Sequence, residues 1–254
     1  MTMQFQRDGV PTFPSELTAE MLAGFRTTPR GCTHPRVGEI GGSRFIAKCG
    51  SWSAYSSDEH VHNELVADNL LRAAGLNVPF SREYHVDFED GQGRQTIRLA
   101  VYDDALKPIM EVWDSADATL CAKIREQTVA AYPVQALIAG IDTFTYDNVK
   151  VDFDGNLWFV DNGASFDFRA CGKLKGWFWQ RHEVFDPRSG YLSLAKHPNQ
   201  YDLRSILGMV DDAELWAAAK KCRFAQLVAN LPDSHRKSEL TAYATALETA
   251  ARKI

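Results

Sequence analysis

Several functional classes are missing from this sequence. No two of its five cysteines (Cys32, Cys49, Cys121, Cys171 and Cys222) form a Cys-x-x-Cys pair, and their number is odd. That spacing excludes a local zinc ribbon or redox motif, and it predicts reduced thiols in a cytosolic setting. No basic-then-apolar leader opens the chain, and no apolar run is long enough to span a membrane. There is no excess of positive charge: 28 Lys and Arg stand against 33 Asp and Glu, for a formal net charge of −5. A general basic field for nucleic acid is therefore not expected. The phosphate-loop pattern Gly-x-x-x-x-Gly-Lys-Ser/Thr and the dinucleotide fingerprint are both absent. No Ser-His-Asp or Cys-His arrangement has motif support. His60 and His62 fall two apart on a predicted helix and do not face each other, which excludes a metal pair there. No internal repeat or low-complexity tract is present. The expectation is a cytoplasmic protein without a nucleic-acid partner or membrane span; oligomeric state is not legible.

What is present is ordinary globular composition, 45% hydrophobic and 24% charged over 254 residues. Residues 1–30 hold Gly9, Pro11, Pro14 and Pro29 and one short helical candidate (15–25), which predicts an arm. Residues 35–50 read strand, glycine turn, strand. Residues 56–75 carry the clearest helix of the N-terminal half. Ser56-x-x-Glu59 fits a capping box, and Gly75 is a natural stop. Two further strands flank Gly91-Gln92-Gly93 in residues 80–104. The first hundred residues thus follow a β-β-α-β-β order, typical of a small antiparallel sheet with one helix. Residues 115–140 predict a long helix interrupted at Pro133. A polar loop, a strand at 149–151, a turn at Asp154-Gly155 and a strand ending at Asp161 follow. The end of the chain is mostly helical, with Asp211 or Asp212 and Ser234 as N-caps. The predicted organisation is an arm (1–30), a β-rich N-lobe (31–105) and a helical C-lobe (106–254).

Five polar residues stand out on this framework. Lys48 lies on the strand after the glycine turn. Glu64 lies in the following helix, on or beside the apolar face carrying Val61, Ala67 and Leu71. A carboxylate there needs a partner, because an unpaired buried charge is costly, and Lys48 is the nearest candidate. Asn148 precedes Asp161 by 13 positions across a strand–turn–strand, so the two should lie side by side at one rim of a hairpin. An amide oxygen and a carboxylate converging there suit Mg²⁺, which takes a few protein oxygens and leaves room for phosphate. Asp142, in the preceding loop, could accept a proton from an attacking hydroxyl, with Asp147 as its rival. Each residue alone has an ordinary explanation: a surface lysine, a helix-edge glutamate, turn-forming Asp-Gly and Asn-Gly pairs.

Strand lysine, helix glutamate, loop aspartate, hairpin asparagine and strand-end aspartate occur in the order used by protein-kinase-like phosphotransferases. Over roughly residues 36–210 the sequence resembles that family. The stretch DTFTYDNVKVDFDGNLWFVDNGASFDFRACG is similar to phosphatidylinositol-kinase-like, HipA-type and small bacterial effector kinases. The resemblance implies a bilobal α+β fold with ATP and Mg²⁺ between the lobes. It implies Lys48 as the phosphate lysine, Glu64 as its partner, Asp142 as the base, and Asn148 and Asp161 as metal ligands. Gly41, Gly42 and Ser43 would form the loop over the phosphates, and Tyr102 would sit at the hinge beside adenine.

The sequence departs from the familiar pattern in several places. Six residues separate Asp142 from Asn148 instead of five. No His-Arg precedes the aspartate, Asn-Gly follows Asp161 instead of Phe-Gly, and Ala-Pro-Glu is missing. Arg169, Lys173 and Lys175 fall where a substrate would approach, or simply form a solvated basic loop. Trp177, Phe178 and Trp179 are expected in the C-lobe core. The implied activity is phosphoryl transfer to a serine or threonine of a protein substrate, with a bacterial effector or toxin as one setting and delivery into a host cytoplasm as the corollary. A small-molecule or lipid kinase, a nucleotide-binding pseudokinase, and transfer of AMP on the same fold stay open.

Overall fold

The computed structural model describes residues 11–29, 31–89, 91–138, 140, 148–168, 172–174, 211–231 and 237–252. Asp142, Asp147, Arg169, Lys175, the aromatic cluster at 177–179 and Ser234 lie outside these residues.

The N-lobe is a five-stranded antiparallel sheet with spatial order β1-β2-β3-β5-β4. The strands are β1 (Arg26–Thr27), β2 (Arg36–Ile40), β3 (Ser43–Cys49), β4 (Ser81–Phe88) and β5 (Gly93–Val101). Period-2 alternation sorts the side chains of β3 and β5 onto two faces. Phe45, Ala47 and Cys49 join Ile97, Leu99 and Val101 in one apolar core. Lys48 and Arg98, which are directly paired across the two strands, share the opposite face. Residues expected to form an arm contribute to this lobe. A short helix α1 (Ala19–Ala23) precedes β1, and Leu17, Leu22 and Phe25 complete the outer core.

Helix α2 (Asp58–Ala73) connects β3 to β4 and packs on the Lys48–Arg98 face. Its cap differs by one residue from the capping-box expectation. Ser57 Oγ accepts from the His60 amide at 3.2 Å, whereas Ser56 Oγ bonds the His60 ring at 2.7 Å. Gly75 ends the helix with φ +80°, a left-handed conformation that costs glycine nothing. The far side of α2 (Val66, Ala67, Leu70 and Leu71) enters the C-lobe core. The helix is therefore buried between the two lobes.

A three-stranded sheet of β6 (Lys107–Pro108), β7 (Val149–Val151) and β8 (Leu157–Phe159) begins the second lobe. It packs with α3 (Ile109–Trp113), α4 (Ala118–Leu137) and three later helices, Asp212–Lys221, Phe224–Ala229 and Lys237–Arg252. Asp211 caps the first of these through the Ala213 amide. Pro133 does not interrupt α4; it is buried within a continuous helix. Together the lobes make the bilobal α+β architecture that the sequence predicts.

The cysteines require a correction. Cys32 is disulfide-bonded, while Cys49, Cys121 and Cys222 are free. A spacing rule detects neighbouring pairs and is blind to a cross-link between distant segments. Because disulfides persist in oxidising compartments, the thiol argument for a cytosolic setting no longer holds. No helix among the described residues is long and apolar enough to cross a membrane.

Candidate active site

The β-sheet brings two cations side by side beneath α2, an arrangement that needs buried acids. Lys48 is directly opposite Arg98, whose side chain is fully buried. Helix α2 supplies both carboxylates. Glu64 Oε1 accepts from Lys48 Nζ at 2.8 Å and lies 3.4 Å from Arg98 Nη1. Asp68 Oδ2 accepts from Arg98 Nε at 2.9 Å and from Ser81 Oγ at 2.8 Å, and forms an ion pair with Arg98 Nη2 at 2.7 Å. Four-residue spacing places Glu64 and Asp68 on one helical face, one turn apart.

The third carboxylate comes from the β7–β8 hairpin. Asp152 shapes the turn, its Oδ1 accepting from the Asp154 and Asn156 amides at 2.9 and 2.8 Å. At the open end the Val160 amide donates to the Asn148 carbonyl at 3.0 Å, so Asn148 and Asp161 emerge at one rim. Asp161 Oδ1 receives Lys48 Nζ at 2.7 Å and the Gly163 amide at 3.1 Å. Burial opposes the ammonium of Lys48, but the Asp161 and Glu64 carboxylates outweigh it and hold its pKa above the usual lysine value. Burial likewise opposes the Asp161 carboxylate, and Lys48 reverses the balance, depressing its pKa below the usual range.

Lys48, Asn148, Asp161 and Tyr102 line a single cleft of about 900 Å³ between the lobes. Glu64 stands behind Lys48. Ile46, Ala100, Leu106 and Val160 give the cleft an apolar section beside Tyr102. Gly41, Gly42 and Ser43 are not in the lining. Gly41 and Gly42 have φ +58° and +78° in the two-residue β2–β3 hairpin turn, a geometry that itself calls for glycine. The cleft is bordered instead by Gly31, Cys32, Thr33 and Pro35, between β1 and β2. Lys173 stacks on the Tyr55 ring at 4.5 Å.

The donor set suits a hard cation. Lys48 and Arg98 face three carboxylates, Glu64, Asp68 and Asp161, leaving the cluster one negative charge in excess. The contacts of Asp161 among the described residues run through Oδ1, and its side chain is 40% exposed. Oδ2 and the neighbouring Asn148 therefore offer oxygen ligands of the kind Mg²⁺ accepts. No group of three or more His, Cys, Asp or Glu that could hold a metal occurs among the described residues.

The sequence assigns no site role to three residues that the structure brings to it: His60, Asp68 and Arg98. The signal for two of them is present in HVHNELVAD, where His60, Glu64 and Asp68 recur every four positions. Arg98 lies in a strand of otherwise alternating character, and only its pairing with Lys48 reveals its place.

No family model matches the chain, and no curated protein does. Solved structures similar to it include the following three, two of them described as kinases. WaaP in complex with acyl carrier protein is 11% identical, with 92% of this chain and 91% of that one covered and a TM-score of 0.45. The Helicobacter pylori proinflammatory kinase CtkA is 10% identical, with 94% and 98% covered and a TM-score of 0.46. The Cydia pomonella granulovirus kinase PK-1 is 13% identical, with 92% and 91% covered and a TM-score of 0.39.

Proposed function

We propose that the chain is a Mg·ATP-dependent phosphotransferase whose acceptor is a serine or threonine hydroxyl of a protein. The observation that carries this reading is Lys48, buried in the cleft wall and held between Glu64 at 2.8 Å and Asp161 at 2.7 Å. A lysine fixed this way presents a preorganised positive charge to phosphate oxygens, the main requirement for phosphoryl transfer. The apolar section beside Tyr102 accommodates the adenine ring, and the Gly31–Pro35 segment covers the phosphates. This segment replaces Gly41–Ser43 in that role. Asn148 and Asp161 would hold Mg²⁺, which when bound offsets the charge of the phosphates.

In the reaction, the acceptor oxygen attacks the γ-phosphorus and the bond from that phosphorus to the β–γ bridging oxygen breaks. The hydroxyl proton passes to Asp142, or to Asp147 if the roles are exchanged, and ADP leaves. Lys48 orients the phosphate chain, while Glu64 and Arg98 hold Lys48 and Glu64 respectively in place.

Incubation with γ-labelled ATP, Mg²⁺ and a cell lysate tests the reading, with the Asp161→Ala variant as control. Label on a discrete protein band that disappears in the variant supports it. Label confined to small molecules moves the acceptor class to a soluble alcohol or lipid. No transfer at all, with nucleotide still bound, identifies a pseudokinase.

A further inference from the structure

Helix α2 grips the turn after β8 at three consecutive residues, using three side chains spaced four apart. His60 Nε2 lies 2.6 Å from the Gly163 carbonyl oxygen. Glu64 acts on Asp161 through their shared partner Lys48. Asp68 Oδ1 accepts from Asn162 Nδ2 at 2.9 Å. Each α2 side chain thus serves a different residue of Asp161-Asn162-Gly163.

The outer two contacts are tightly specified. A carbonyl only accepts, so His60 donates from Nε2, and its Nδ1 accepts from Ser56 Oγ at 2.7 Å. Phe168 packs against the ring at a centroid distance of 5.0 Å. Gly163 leaves room for this contact: a β-carbon there would approach His60 Nε2 to 3.2 Å and Asp161 Oδ1 to 3.3 Å. Asp68 is anchored to the sheet by Arg98 and Ser81 through Oδ2, which leaves Oδ1 for Asn162. Asn162 is fully buried, and its own Oδ1 has no hydrogen-bond partner among the described residues. An apolar residue would remove that orphaned oxygen but would take the donor from the buried Asp68 Oδ1, so the amide at 162 is tied to Asp68.

Resting on the proposed function, we infer that His60 and Asp68 are positioning residues: they lock the Asp161–Gly163 turn to α2 so that Asp161 Oδ2 faces the metal and phosphates. The helix and the turn then move as one unit, with His60 and Gly163 in the wall of the cleft and Asp68 and Asn162 buried behind it.

Three variants test this: Asn162→Leu, His60→Phe and His60→Gln, the last retaining a side-chain donor. Melting temperature reports folding, calorimetry reports ATP affinity with and without Mg²⁺, and amide hydrogen exchange reports the 161–163 turn. The expected result is a loss of about tenfold or more in Mg·ATP affinity for Asn162→Leu and His60→Phe, the range for outer-shell partners. Metal-free ATP affinity stays near wild type, His60→Gln recovers most of the loss, and turn exchange accelerates in the two damaged variants only. Unchanged Mg·ATP affinity and exchange in both damaged variants overturns the inference, as does an equal loss of affinity with and without metal. If the wild type binds no Mg·ATP, the functional reading fails, and the exchange arm alone decides whether the turn is held.

Discussion

Replacing Lys48 by methionine removes the cation on which two carboxylates converge while keeping much of its buried stem. The side chains of Lys48 and Glu64 are 6% and 1% exposed. Removing one partner of a buried pair costs about 3–5 kcal/mol, because the other charge is left without compensation. Arg98 Nη1 remains 3.4 Å from Glu64, so the low end, about 3 kcal/mol, applies. Asp161 contributes little, since its side chain is 40% exposed and water can resolvate it. For a protein of this size that loss lowers the melting temperature by roughly 6–12 °C. Phosphoryl transfer should fall by about 10²–10³-fold, as expected when one preorganised charge is removed from a reacting centre. The assay pairs a thermal melt with label transfer below the variant's own melting temperature. A variant that melts like wild type and keeps its turnover would refute both the buried pair and the phosphate role of Lys48.

Asp142→Asn should cost roughly 10²–10⁴-fold in turnover with little change in melting, the range for a general base. If Asp147→Asn is the damaging change instead, the two aspartates exchange roles. Burial lowers the His60 pKa below 6.5, so its neutral form stabilises the fold fully above that pH. This contribution is lost as pH falls through the folded value, and melts between pH 7.5 and 5.5 should drop further for wild type than for His60→Gln. Equal drops would show that His60 titrates as it does in the unfolded chain. The disulfide at Cys32 predicts that three of the five cysteines react with a thiol reagent in denaturant without reductant. Five reactive thiols would show that the cross-link does not form.

Much of the site's outline could be read from the sequence because it depends on local periodicity. Glu64 was conspicuous as a carboxylate beside an apolar helical face, and the sheet does put Lys48 against it. The hairpin spacing likewise brings Asn148 and Asp161 to one rim. Arg98 and Asp68 were illegible for a different reason. Their pairing follows from the register of β3 against β5 and from how α2 crosses the sheet, and no local window contains either. The glycine pair misled because glycine answers two needs: Gly41 and Gly42 satisfy the backbone of a tight hairpin, while the cleft is bordered by the proline-containing segment at 31–35. Pro133 misled similarly. Its ring removes one helical hydrogen bond, yet burial in the C-lobe core carries α4 through it. Cys32 required knowledge of distant neighbours.

The most direct test of the central claim is the affinity for ATP, measured by calorimetry with and without Mg²⁺ for wild type and Asp161→Ala. The account predicts that Mg²⁺ tightens binding to wild type, and that the variant loses this increment while melting as a folded protein. Wild-type affinity indifferent to Mg²⁺, or an increment that survives in the variant, would contradict it.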